Sequence, residues 1–129
     1  MKLLAEEEIN VEILRNAYTA WHETKGDTAV WSDVFADRID WGSSAEAMPE
    51  LVFTRQRAPK QEVIEYYEEL ANDWSMEFYR VTEFIARGRR VIAFGECSFT
   101  HRRTGRNVTG PKIDLWLFED GKATEFMEY

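Results

Sequence analysis

The last two-fifths of the chain constrain the fold more than any other part. From Met76 onward the pattern is strand-like, with strands predicted at Met76–Arg87, Arg90–His101, Asn107–Glu119 and Lys122–Tyr129. Short turn sequences separate them: Arg87-Gly88-Arg89, Arg103-Thr104-Gly105-Arg106 and Asp120-Gly121. Asp-Gly is a strong hairpin signal, and consecutive hairpins make an antiparallel sheet. Within this region Ile113–Phe118 is apolar on both faces. Alternation sends Asp114, Trp116 and Phe118 one way and Ile113, Leu115 and Leu117 the other. Such a strand needs cover on both sides. Helices supply one cover in a chain this small, and a second copy is the simplest source of the other. A homodimer through the outer sheet face is therefore expected. The same strand raises a chemical question, because it keeps a carboxylate, Asp114, near its middle.

The first half of the chain follows helical spacing. Ile13, Leu14, Ala17, Tyr18 and Trp21 share one face, which predicts a helix over Glu6–Lys25. Glu6, Glu7 and Glu8 near its start suit the helix dipole. Gly26 ends it and Asp27 caps a second helix over Thr28–Ala36, with Val30, Trp31, Val34 and Phe35 inward. A short strand follows at Arg38–Trp41, with Trp41 facing in and Asp40 out. Gly42–Ala58 is a long connection, with a small strand at Leu51–Thr54; loops of this length often bind or cover ligands. Pro59 opens a third helix that runs to Asn72 and buries Val63, Tyr67 and Leu70. The expected class is α+β, three helices on one side of a sheet, in a single domain over residues 1–129.

Charge and composition exclude several functions. A net charge of −8 repels phosphate backbones, which argues against nucleic acid. No stretch reaches the roughly 20 apolar residues of a membrane helix, and MKLLAEEEIN lacks the long apolar run of a signal peptide. Cys97 is the one cysteine, so no internal disulfide forms, which suits a reducing cytoplasm. The two histidines, His22 and His101, are far apart, and neither a Cys-x-x-Cys nor a His-x-x-x-His pair occurs. Glycine-rich phosphate loops are absent as well. No metal and no cofactor are expected.

Several motifs in order carry a family resemblance: AYTAWHETKGD, VWSDVFAD followed by DW, KQEVIEYYEEL, and RTGRNVTGPKIDLWLFEDGKATEFMEY. Together they resemble the nuclear-transport-factor-2-like superfamily, in its SnoaL-like polyketide cyclase and ketosteroid isomerase branch. The resemblance implies a cone: a curved mixed or antiparallel sheet wrapped around three helices, with an apolar pocket between them and pairing through the convex sheet face. It also matches Asp114 to the pocket aspartic acid of ketosteroid isomerases, which stays protonated and donates a hydrogen bond to an oxyanion; that enzyme is a standard worked case of a raised carboxyl pKa.

Departures from the templates shape the functional expectation. The isomerase base position falls at or beside Ser43, which is no proton base. The epoxide hydrolase Arg-x-Asp pair is replaced by Gly95-Glu96-Cys97, although Glu128 matches that family's later acid. The histidines that scytalone dehydratases use are represented only by His22 and His101, both expected to be solvated. The resemblance implies a pocket lined by Trp21, Trp41, Phe53, Tyr67, Cys97, Phe99 and Trp116. Asp114 is the candidate acid and Tyr18 a hydrogen-bond donor. Tyr67 is a second hydroxyl that can point into the gap. A plainer reading makes Asp114 a structural acceptor, paired with Lys112 or Arg106. The expected function is binding of a small hydrophobic molecule, with cofactor-free isomerase, cyclase or lyase chemistry on a carbonyl compound. A noncatalytic binding or dimerisation module of the same fold is the alternative.

Overall fold

The structure, a computed structural model, describes residues 2–43 and 57–129. Its elements in chain order are α1 (Lys2–Glu23), a short 3-10 helix (Thr28–Trp31), β1 (Phe35–Ser43), β2 (Arg57–Pro59), α2 (Lys60–Asp73), β3 (Trp74–Arg87), β4 (Arg90–His101), β5 (Asn107–Glu119) and β6 (Lys122–Glu128). The four C-terminal strands form the antiparallel meander that the turn sequences predict. At the last turn Asp120 and Gly121 have φ of 51° and 78°, the left-handed pair that matches a two-residue hairpin to strand twist.

β1 then joins β6 in parallel, and β2 pairs antiparallel at the far edge, giving one mixed sheet of order β2-β1-β6-β5-β4-β3. Irregular pairing after Met76 and again after Val81 marks two bulges in β3. Bulges add twist and bend a strand, which helps curve the sheet.

Two α-helices are present among the described residues, where three were expected. The segment Thr28–Ala36 is helical for only four residues. Asp27 caps it, its side chain accepting from Ala29 N at 3.0 Å. The helix stops because Val34 O accepts from Ala123 N at 2.8 Å, which draws the chain into the sheet at Phe35. β1 is accordingly longer than the expected Arg38–Trp41. α1 begins well before Glu6, so Glu6–Glu8 lie inside it and not in its first turn. The expected strand at Leu51–Thr54 lies outside the described residues.

α1 packs on β3, and α2 on β1 and β2, all on the concave face. Leu14, Tyr18 and Trp21 from α1 and Val63, Tyr66 and Tyr67 from α2 meet Val91, Trp116 and Phe126 there. Strand β5 divides as alternation predicts: Asp114, Trp116 and Phe118 are 2%, 1% and 1% exposed, whereas Ile113 is 38% exposed. Trp41 is buried and Asp40 exposed. The convex face carries Ile92, Phe94, Leu115, Leu117 and Met127 half-buried by one another, with Ile85 and Ile113 exposed.

Candidate functional site

β5 places Asp114 beside Ala93 of β4 and Glu128 of β6, all on the concave face. Four donors surround these two carboxylates. Tyr18 Oη, from the middle of α1, donates to Asp114 Oδ2 at 2.5 Å. Tyr79 Oη, from β3, donates to the same oxygen at 2.8 Å. Lys112 sits two residues before Asp114 and so shares its face. Its Nζ donates to Asp114 Oδ1, and to Glu128 Oε2 at 3.0 Å. Tyr66 Oη, from α2, donates to Glu128 Oε1 at 3.3 Å. Trp116 Nε1 donates to Tyr18 Oη at 2.9 Å, which leaves the Tyr18 proton for Asp114.

The electrostatics follow from burial and charge. Burial by itself lowers the Lys112 pKa, but Asp114 and Glu128 outweigh it, and the net shift is upward. Lys112 is therefore a fixed ammonium. Burial first, and then the Asp114 charge, raise the Tyr18 and Tyr79 pKa values well above the ordinary phenol. Burial followed by Glu128 does the same to Tyr66. These hydroxyls stay protonated and act as donors. Burial pushes the Cys97 thiol up to about 11, so it is no nucleophile at neutral pH.

A cavity of about 370 Å³ opens above this polar cluster. Trp21, Trp31, Leu70, Trp74 and Phe99 make its apolar wall, and Tyr18, Tyr79, Lys112, Asp114 and Glu128 its polar end. Val108 and Tyr129, 59% and 58% exposed, stand at the opening.

Most of the residues expected from the sequence come together here. Asp114, Tyr18, Trp21, Tyr67, Cys97, Phe99 and Trp116 all line the cavity. Trp41 does not; its ring packs on Tyr66 at 4.4 Å and supports that residue from behind. Phe53 lies outside the described residues. The resemblance implies an Asp114 that donates its own proton, yet three donors converge on Asp114 and it accepts from each. Lys112, one of the two structural partners considered, makes that contact; Arg106 is exposed. Neither histidine is simply solvated. His22 Nδ1 accepts from Tyr79 N at 3.2 Å, and His101 Nδ1 from Thr104 N at 3.2 Å.

Tyr79, Tyr66 and the bridging position of Lys112 were not legible as site features. Tyr79 is hidden by the first bulge. Met76 and Tyr79 are three apart, so strict alternation puts them on opposite faces, yet both are buried. The extra residue between them resets the parity. Lys112 had a usable signal, being i−2 to Asp114. Glu128 did not, because the Asp-Gly hairpin by itself sets Met127 opposite Asp114, and an irregularity between Leu117 and Phe118 shifts the register by one to bring Glu128 there.

Comparison with known proteins agrees with this architecture. A crystal structure of an NTF2-like protein of unknown function from Burkholderia pseudomallei K96243 superposes with a TM-score of 0.79 at 22% identity, covering 94% of this chain and 89% of that one. A putative SnoaL-like polyketide cyclase from Mesorhizobium loti gives 0.76 at 16% identity, covering 95% and 96%. TerC, co-crystallized with polyporic acid, gives 0.76 at 19% identity, covering 94% and 90%. At these identities the likeness concerns the fold. No protein of curated function matches the chain in sequence. The SnoaL-like domain model matches residues 14–126, nearly the whole sequence, and the chain belongs to the SnoaL-like domain family.

Proposed function

We propose that this protein binds a small hydrophobic carbonyl compound in the cavity between sheet and helices, and acts on it by cofactor-free acid–base chemistry as an isomerase, cyclase or lyase. The observation that carries this reading is the cavity's polarity. Its volume of about 370 Å³ is at the small end of ligand sites, its walls are aromatic, and its charged groups gather at one end. An apolar body held against a few convergent polar groups is the arrangement that orients a reacting oxygen. One of the similar solved structures, TerC, was co-crystallized with polyporic acid.

Four of the five tryptophans, Trp21, Trp31, Trp74 and Trp116, line the cavity, so occupancy is readable by intrinsic fluorescence. Titration with 2-tetralone and larger fused-ring ketones is expected to give saturable changes with dissociation constants on the order of 10 µM to 1 mM. No saturable change with any of them would remove the binding reading.

One observation favours a noncatalytic module instead: both Asp114 oxygens are already engaged within the protein. That reading keeps the binding and drops the chemistry, so ligand turnover separates the two.

The functional unit in this proposal is a cytoplasmic homodimer joined through the convex sheet face, where Ile85 and Ile113 are 48% and 38% exposed beside half-buried neighbours. Light scattering is expected to give twice the chain mass of 15.2 kDa. Ile113→Glu is expected to give the single-chain mass with the melting transition retained. A wild-type protein of single-chain mass at micromolar concentration would remove the dimer.

A further inference from the structure

We infer that Glu128, not Asp114, is the proton-transferring carboxylate of this site, and that the substrate is a neutral enolisable ketone whose oxygen is held by Lys112 and Tyr67. The inference rests on the proposed reading of the cavity as a site for a hydrophobic carbonyl compound.

The argument is an inventory of unspent hydrogen-bonding capacity at the polar end. Asp114 is 2% exposed. Its Oδ2 takes two hydroxyl donors and its Oδ1 takes Lys112. Tyr18, Tyr79 and Trp116 spend their protons on this same knot. Asp114 is thus enclosed by its own supports.

Glu128 differs in exposure. Both carboxylates line the cavity, but 15% of the Glu128 side chain is exposed against 2% for Asp114. Its two oxygens each accept one bond, and the one to Tyr66 is long, at 3.3 Å. A carboxylate oxygen has two lone-pair directions, so capacity remains. Lys112 has three N–H groups and spends two of them on Asp114 and Glu128.

Tyr67 supplies an independent observation. It is 7% exposed and lines the cavity, and among the described residues no hydrogen bond engages its hydroxyl. Burial, followed by the Glu128 charge, holds its proton in place. Its hydroxyl therefore keeps a proton to donate, and a ligand oxygen in the cavity can accept it.

These groups define one step. A Glu128 oxygen takes a proton from the carbon next to the ketone. The C–H bond breaks, its electron pair forms the new C=C bond, and the carbonyl π pair moves onto oxygen. The enolate oxygen accepts hydrogen bonds from the Lys112 ammonium and the Tyr67 hydroxyl. Protonated Glu128 then returns the proton to the same or a conjugated carbon. Negative charge moves from Glu128 toward Lys112, and the site's total charge does not change. The formal charges of Asp114, Glu128 and Lys112 sum to one negative, so a ligand bearing its own carboxylate meets repulsion. Asp114 is a positioning residue in this scheme: it anchors Lys112 from the interior side.

The test is α-deuterium incorporation into 2-tetralone in D2O, followed by proton NMR, with binding measured by tryptophan fluorescence. Wild-type protein is expected to exchange the α-hydrogens faster than buffer. Glu128→Gln should lower kcat by about 100-fold or more with binding kept within about threefold. Tyr67→Phe should chiefly weaken binding, by about fivefold to tenfold. Asp114→Asn should retain exchange at about a tenth of the wild-type kcat. It should also move the alkaline limb of the pH profile to lower pH, because Lys112 loses an anionic neighbour; a purely structural role leaves that limb in place. The carboxylate 1,2,3,4-tetrahydro-2-naphthoate should bind about tenfold or more weakly than 2-tetralone.

Wild-type exchange surviving in Glu128→Gln, or Asp114→Asn losing as much as Glu128→Gln, overturns the assignment while the binding reading stands. Equal binding of the naphthoate overturns the neutral-ketone specificity. A wild-type protein that binds the ketone without exchange overturns the proton transfer alone, and one that binds no ketone sinks both readings. If Glu128→Gln fails to fold by circular dichroism, Glu128→Asp serves in its place. Its shortened carboxylate is expected to exchange more slowly than wild type, and an unaltered rate overturns the assignment.

Discussion

Lys112→Met should destabilise the protein by about 3 kcal/mol, a fall in melting temperature on the order of 10 °C. The side chain stands between Asp114 and Glu128 and is 18% exposed, so most of its charge is shielded from solvent. Methionine keeps most of the volume, which isolates the electrostatic loss. Two carboxylates on facing strand positions are then left without their shared cation. A buried pair broken on one side is far costlier than a pair removed whole. Lys112→Met/Glu128→Gln should therefore recover part of the loss, and a double variant no better than the single one would sink the electrostatic account.

The pH dependence has a definite sign. The folded-state pKa of Lys112 is raised above that of a free lysine, about 10.4. Its stabilising contribution is thus fully present below that value and is lost only as pH rises through the higher folded value. Between about pH 5 and pH 8 the lysine contributes equally at every pH. The gap between wild type and Lys112→Met should therefore not shrink as pH rises from about 5 to about 8. Urea titrations at both ends of this range measure it. A gap that widens toward acid would contradict the role given to the lysine.

How far the sequence discloses this arrangement depends on the range of the interactions involved. The meander from β3 to β6 was legible because its determinants are local. Turn residues and strand parity are written in neighbouring positions, and Asp114, Trp116 and Phe118 fall on the buried face as parity requires. The parallel pairing of β1 with β6 is not local, since Phe35 finds Ala123 across most of the chain. The misread helix at Thr28–Ala36 is a consequence, because a strand partner from the far end outcompetes local helical spacing.

The site divides in the same way. Tyr18 lies on a regular helical stripe and Asp114 on a regular strand, so pattern placed both on inward faces, and the family resemblance nominated them for the site. Tyr79 was concealed by an irregularity that no periodic rule anticipates. The Lys112 bridge depends on β6 standing beside β5 in a particular register. Trp41 shows the opposite limit: its inward orientation was readable, but which neighbours it meets inside was not, and it supports Tyr66 where a place in the cavity wall was expected.

The bulges make one glycine indispensable. Gly95→Ala should cost about 3 kcal/mol or more, while Gly110→Ala, on the neighbouring strand, should change stability by less than about 0.5 kcal/mol. A Cβ placed at Gly95 would lie 1.9 Å from the Arg80 carbonyl oxygen and 2.8 Å from Val81 Cα, both backbone atoms that no rotamer change can move aside. At Gly110 a Cβ meets nothing within 4 Å. The difference arises at the second bulge. Gly95 pairs with Val81, after which the register of β3 slips by one residue before Glu83 meets Phe94. The backbone crowds β4 there, and only a residue without a side chain lets the strands stay paired.

Tyr79 lies just before Arg80, between the two bulges, and its hydroxyl is one of the supports of Asp114. Relief of the clash requires β3 to move away from β4, which lifts Tyr79 from the polar end. Gly95→Ala should thus lose ligand-dependent fluorescence change more steeply than its folded fraction alone accounts for. Thermal melts and ketone titrations on the two alanine variants decide the matter. Equal stability in both would show that β3 and β4 accommodate the methyl group, and the bulge would then lose its claim to set the geometry of the site.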